Sequence, residues 1–273
     1  MSVEDIGKIV RLATEFGVQK IKLTGGEPLL RKDIVDVVKA VNDAGVKEIS
    51  MTTNGVLLAG LARELAKAGL TRVNISLDTL DPKTFSKITG NGSLQKVMAG
   101  MEAAIDAGLD PVKLNMVMLA GLNEGEVEKI MTYASEHGAV LQLIELLDTN
   151  GGDFKRYHRG LQDIEKELSA RATSIQTRRS MHARKKYILP NGEVEVVRPM
   201  HNTEFCSHCT RLRLTADGRL KPCLMRNDNL VDLLTHIRTG DIKGARNAFT
   251  EAIARREPYF KIAAGKGCVH ARA

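Results

Sequence analysis

Cys206 and Cys209 stand two residues apart, Arg211 and Arg213 follow in alternation with leucines, and Cys223 comes after an Asp217-Gly218 turn. Two intervening residues let a tight turn aim both sulfurs at one centre, and a hairpin at Asp217-Gly218 would bring Cys223 back to join them. Taken alone, such a loop first suggests structural zinc, which closes with four ligands. The fourth would have to be His208, His201 or the distant Cys268. With the fourth place open, three thiolates suit an iron–sulfur cluster that leaves one metal corner for a substrate atom. The arginines turn the reading toward the cluster. Alternate residues of a strand share a face, so two guanidinium forks beside the metal would hold an anion there; otherwise they form a solvated cationic face.

These side chains need a scaffold, and the first 150 residues supply its rhythm. Residues 1–16 read as an amphipathic helix behind a Ser2-x-x-Asp5 capping box, with Ile6, Ile9, Val10 and Ala13 at helical spacing. Strands are expected at 20–24, 48–53, 72–77, 112–119 and 140–147, separated by helices, with Gly25-Gly26-Glu27-Pro28, Thr53-Asn54-Gly55 and Ser76-Leu77-Asp78 at the first three strand ends. Such alternation with short loops means parallel strands.

The strands also alternate in polarity. Lys22 with Thr24, Asn74 with Ser76, and Lys113 with Asn115 each share a face. A sheet covered by helices on both sides would be apolar throughout, so the polar face is expected to line a wet interior, as in a partial (β/α) barrel with its chemistry at the strand ends. The expected class is α/β, a partial barrel with a smaller C-terminal α+β unit. Residues 1–150 form the barrel and 151–273 the second unit, which opens on basic, loop-rich sequence, continues in a hairpin around Pro190-Asn191-Gly192, and closes in helices at 230–237 and 242–253. Lys22 and Lys113 would point into the lumen toward an anion or Glu145. Met98, Met101, Met116 and Met118 read as core, and Cys268 as a free thiol.

Composition narrows the ligand. Forty Lys and Arg against thirty-three Asp and Glu give a net charge of +7, which invites an anionic partner. Aromatic residues are 4% with no Trp, too few for the stacking platforms of a single-strand binder, so a small anion is favoured over nucleic acid. Four cysteines do not make a secreted disulfide framework, and neither a secretory signal nor an apolar run of about 18 residues is expected to span or target a membrane. The expected location is the cytoplasm. GxxxxGK, GxSxG and HExxH are absent.

At Lys20 to Leu29, Thr52 to Gly55, Asn74 to Asp81, Lys87 to Gly90 and Phe205 to Leu224, the chain resembles the GTP 3',8-cyclases of molybdenum cofactor biosynthesis. These are radical S-adenosylmethionine (SAM) lyases. The resemblance implies a partial barrel of radical SAM type and a C-terminal domain whose Cys206, Cys209 and Cys223 hold a 4Fe-4S cluster. Lys22, Thr53, Lys113, Arg211 and Arg213 would bind GTP, and Gly26 and Ser76 would bind SAM. It further implies conversion of GTP to 3',8-cyclo-7,8-dihydro-GTP, through a radical derived from SAM at a second, N-terminal cluster.

The family's first strand and its CxxxCxxC loop lie upstream of the GGEP unit, so the first strand is expected to be missing here and the chain as written to be inactive without that cluster. Leu147-Asp148 stands where many relatives carry Met-Pro, Lys22 replaces a frequent arginine, and the usual Gly-Gly tail is replaced by Cys268 to Ala273. The expected partners are GTP as substrate and SAM as cosubstrate, without nucleic acid or membrane and with room for a homodimer. Two other readings are another radical SAM enzyme with an auxiliary cluster, such as a peptide modifier, and a non-enzymatic zinc protein that binds nucleic acid.

Overall fold

The computed structural model describes residues 1–90, 92–148, 153–178, 181–262 and 268–270, with backbone only at 153, 261, 262 and 268–270. The expected boundary at 150–151, the Cys268 thiol and the last three residues lie outside what is described. Helix α1 (Val3–Glu15) leads into four βα repeats and a fifth strand: β1 (Lys20–Leu23), α2 (Ile34–Asn42), β2 (Glu48–Thr53), α3 (Leu58–Ala68), β3 (Arg72–Ser76), α4 (Pro82–Thr89), α5 (Leu94–Asp106), β4 (Val112–Met118), α6 (Val127–Glu136) and β5 (Val140–Glu145). Short helices α7 (Asp153–Tyr157) and α8 (Gln162–Arg171) precede β6 (Ser174–Arg178), β7 (Arg184–Leu189) and β8 (Gly192–Val197). The chain continues through α9 (Thr203–Ser207), β9 (Arg213–Leu214), β10 (Arg219–Lys221), β11 (Val231–Asp232), α10 (Leu234–Thr239), α11 (Ile242–Ala254), β12 (Phe260–Ile262) and β13 (Cys268–His270).

Local chemistry sets the boundaries. The capping box forms as expected: Asp5 N donates to Ser2 Oγ and Ser2 N to the Asp5 carboxylate. Asp81 with Pro82, and Ser93, cap α4 and α5, while Gly69 ends α3 at φ 113°, a backbone that a Cβ would strain.

Strands β1 to β5 pair in parallel in chain order, and β8 pairs in parallel with β5 before the sheet turns antiparallel through β7 and β6. Six parallel strands therefore form the open barrel, the sixth from beyond residue 150. Outward residues such as Met51, Ile75, Leu114, Met116 and Leu143 are buried under Val38, Leu65, Met101 and Ile130 of the helices; each such side chain contributes about 1.5–3 kcal/mol. Met118 joins this core and Met98 packs at its margin.

A second core lies elsewhere. Ile9, Leu12 and Ala13 of α1 pack with Leu220, Leu233, Ile237, Ala248 and Phe249, so the first helix is clasped by the last two. Phe16 stacks on Phe249 at 4.9 Å, and Arg238 donates to Asp5 at 2.9 Å.

Two expectations change. The stretch at 230–237 begins as β11, because Val231 and Asp232 pair with Leu220 and Arg219, and turns helical only at Leu234. Within the basic sequence expected as loop, Ser174–Arg178 and the start of Arg184–Leu189 form the strands β6 and β7, whose register sets Arg184 opposite Arg178.

Candidate functional site

The inward faces of β1 to β5, the start of β7 and the cysteine segment enclose one cavity of about 650 Å³. Register explains its floor. Lys22 is level with Ser50, Thr52 with Asn74, Asn74 with Lys113, Asn115 with Gln142, and Gln142 with Glu195, so the period of two delivers a polar residue from each strand to one side. Seven lining residues are Lys or Arg (Lys22, Arg72, Lys113, Arg184, Arg211, Arg213, Arg256), against Glu257 as the one acid among the described lining.

Crowded cations alter one another. Lys22 opens to the cavity, yet loss of hydration among the surrounding atoms, then the charges of Arg72, Arg211, Arg184 and Lys113, push it down to about 7. Burial pushes Lys113 down to about 8, while Glu195, at 2.5 Å, pulls it back up. Burial and then Arg211 bring Arg184 down to about 10. An anion would relieve all three. The expected partner of Lys113, Glu145, faces the other side of β5, where it meets His158 at 3.3 Å and accepts from Met200 N at 3.2 Å; Gln142 and Ile144 are the residues of that strand that line the cavity.

Cys206, on α9, Cys209 just after it, and Cys223, after β10, line the same cavity as free thiols. Burial pushes the Cys206 thiol up, the Phe260 and Tyr259 amides pull it down, and Cys223 and Cys209 push it up again. Among the described residues no group of three His, Cys, Asp or Glu stands at the spacing of a single ion. Arg213 Nη1 is buried without a hydrogen-bond partner, and Arg213 feels the charges of Cys209 and Cys223. An unanswered donor beside three thiols fits an anionic group of sulfur and metal, which spreads its ligands more widely than one ion does. Arg256 holds the loop through the Cys209 carbonyl. His182, stacked on Phe205 at 4.1 Å, is kept uncharged to about pH 3 by burial and then by Arg211 and Arg184.

The structure therefore brings Lys22, Lys113, Arg211, Arg213, Cys206, Cys209 and Cys223 together. Thr53 points away, donating to Glu27 Oε1 at 2.7 Å, while Thr52 faces the cavity within 3.4 Å of Lys22 Nζ. Gly26 and Ser76 lie exposed at the strand ends, outside this lining, and a Cβ on Gly26 would meet nothing within 4 Å. Glu27 ties that turn down, accepting also from Asn54 N at 2.7 Å and Leu29 N at 3.0 Å. The turn after Ser76 is held by Asn123, which donates to the Asp78 and Val117 carbonyls at 2.8 Å. Half-buried Asp78, pushed up to about 6 by loss of hydration, accepts from Val117 N. Sequence reasoning missed Thr52, Arg72, Gln142 and Arg184 as lining residues; strand period marked the first three.

The radical SAM superfamily matches residues 1–134, and Molybdenum Cofactor Synthesis C matches residues 139–262. A probable GTP 3',8-cyclase of Methanothermobacter marburgensis is 53% identical over 96% of this chain and 87% of its own length. The chain belongs to the GTP 3',8-cyclase family of radical SAM proteins. Another member, from Methanocaldococcus jannaschii, is 48% identical over 96% of this chain and 87% of its own length. Among solved structures, Streptococcus suis SuiB bound to precursor peptide SuiA aligns with a TM-score of 0.62 at 18% identity, over 87% of this chain and 58% of that one. That likeness concerns the fold alone. Membership in the GTP 3',8-cyclase family implies a 4Fe-4S cluster and SAM. Among the described residues, no helix is long and apolar enough to cross a membrane.

Proposed function

We propose that this chain is a GTP 3',8-cyclase that converts GTP to 3',8-cyclo-7,8-dihydro-GTP with SAM as cosubstrate, in molybdenum cofactor biosynthesis. The observation that carries the reading is three free thiols and seven cations on one cavity, in a chain 53% identical to a probable GTP 3',8-cyclase. Residues 1–150 act as the barrel, to which β8 adds the sixth strand, and residues 151–273 form the unit that carries the cluster and the two arginines that hold GTP beside it. Cys206, Cys209 and Cys223 hold a 4Fe-4S cluster. Arg211 and Arg213 hold GTP beside it, Lys22 and Lys113 take its phosphates, and the hydroxyl offered from β2 is that of Thr52 rather than Thr53. Gly26 and Ser76 meet SAM at the strand ends. Keeping the thiols reduced suits the cytoplasm.

SAM, with the second, N-terminal cluster that the resemblance implies, would supply the one-electron chemistry that removes the hydrogen on ribose C3', and C3' would bond to guanine C8 as the C8–N7 double bond becomes single and N7 takes up an electron and a proton. The protein's own part is positioning and charge. A triphosphate seated on Lys22 and Lys113 restores their full protonation, and the guanidinium forks fix the nucleotide from the other wall. The barrel walls keep bulk water from the reacting carbons.

The test is anaerobic reconstitution with iron and sulfide, metal analysis and GTP titration of the wild type and Arg211→Ala. About four irons per chain, with GTP binding lost in the variant, is the expected result. One zinc, no iron and no GTP binding would overturn the reading.

A further inference from the structure

One line of hydrogen bonds crosses the cavity floor. Lys22 Nζ donates to Asn74 Oδ1 at 3.0 Å, and Asn74 Nδ2 donates to Asn115 Oδ1 at 3.0 Å. From the other side Arg184 Nη1 donates to Gln142 Oε1 at 3.3 Å, and Gln142 Nε2 donates to the same Asn115 oxygen at 3.0 Å. The polarity of the line is set at its ends. An ammonium and a guanidinium have only protons to offer, so Lys22 must face the oxygen of Asn74 and Arg184 the oxygen of Gln142. Each of those amides then turns its NH2 toward Asn115, and the two meet on Oδ1. Flipping Asn115 would set donor against donor on both sides. Its Nδ2 protons are thereby held out of the line, and among the described residues none of the hydrogen bonds uses them, although Asn115 lines the cavity.

Height along the barrel says what they meet. Lys113 lies two residues earlier on the same face of β4, and Asn115 is level with Ser76 at the end of β3. Asn115 therefore stands between the deep cations and the strand ends, where a nucleotide with its phosphates on those cations would place its sugar. An amide NH2 can donate to a neutral hydroxyl oxygen as well as to a charged one, and the height of Asn115 selects the hydroxyl.

We infer that Asn115 reads a sugar hydroxyl of the nucleotide, its NH2 donating to that oxygen in an orientation imposed by Lys22 and Arg184 through Asn74 and Gln142. The inference rests on the GTP reading of the cavity. Asn115 is a specificity residue, while Asn74 and Gln142 are positioning residues acting through it. Arg184 stays protonated at physiological pH, so the line keeps its direction from that end even where Lys22 is neutral.

The test compares GTP, 2'-deoxy-GTP and 3'-deoxy-GTP by calorimetric titration of reconstituted wild type, Asn115→Ala, Asn115→Asp and Gln142→Met. The wild type should bind GTP roughly tenfold more tightly than one of the deoxy analogues, the scale of one hydrogen bond. Asn115→Ala should bind both alike, as should Asn115→Asp, which keeps the shape but offers no proton. Gln142→Met should lose part of the preference with Asn115 still present. Retained discrimination in both Asn115 variants, or none in the wild type, would overturn the inference and leave the GTP reading standing. If Asn115→Ala does not fold, the aspartate variant and the wild-type comparison decide. A wild type that binds no GTP overturns both.

Discussion

Lys113 Nζ and Glu195 Oε1 meet at 2.5 Å at the base of the cavity, with 3% and 1% of their side chains exposed. Arg178 reaches the same carboxylate oxygen. Burial alone would raise Glu195, but the two cations outweigh it and hold the carboxyl below its usual range. The pair's contribution is therefore present above the ordinary glutamate pKa and fades as acid protonates it. Glu195→Gln should cost about 3–5 kcal/mol in urea denaturation, because it strands a buried ammonium. Adding Lys113→Met to Glu195→Leu should recover most of that stability while GTP binding stays weak; stability that does not return would mean the site needs the charge for folding.

The low value of Lys22 gives binding a pH dependence. Below pH 7 its ammonium is present in the free protein, and above pH 7 it is increasingly neutral. A bound triphosphate raises it again, so binding takes up a proton, and GTP affinity should fall as pH rises from about 7 toward 9. Lys113, at about 8, adds to the fall. Lys22→Arg should flatten the lower part of this profile, since a guanidinium keeps its charge and adds a bidentate fork. A wild-type affinity constant from pH 6.5 to 9 would contradict the assignment.

Glu27 touches three groups that fix the turn after β1. Glu27→Ala should weaken SAM binding about tenfold or more, the scale of the lost charge-assisted bonds, and leave GTP affinity nearly unchanged. Equilibrium dialysis of both ligands separates this outcome from general unfolding, which would lower both.

Much of this site was legible, for a reason that also marks where legibility stopped. Lys22, Asn74, Ser76, Lys113 and Asn115 betray a polar face because a strand repeats every two residues, and no packing partner is needed to see it. The same rule, applied in register, separates Thr52 from Thr53, which a motif alone does not. Arg184 was hidden in a basic run that reads as loop, and its place depends on β7 pairing with β8 and β8 with β5, a contact across some fifty residues of chain. No local pattern announces such a pairing, nor that α1 packs on α10 and α11.

The second core offers its own test. Leu233 is fully buried among residues of α1 and α11. Leu233→Ala should cost about 2–5 kcal/mol by denaturation, and Ser2→Ala about 1 kcal/mol through its cap. Hydrogen exchange should show α1 losing protection together with α10 and α11 in Leu233→Ala, whereas α3 to α5 keep theirs.

The clasp of α1 by the last helices, together with the β5–β8 seam, makes the chain a ring held shut at two places. A peptide bond cut anywhere between β5 and β6 would leave two fragments still latched, one latch a backbone ladder through the barrel wall and the other an apolar knot behind it. Neither half can peel away while the other latch holds. The cavity walls that carry the thiols and the lysines are thus kept at a fixed separation by packing remote from both, and the spacing between a substrate's two ends is built into the fold.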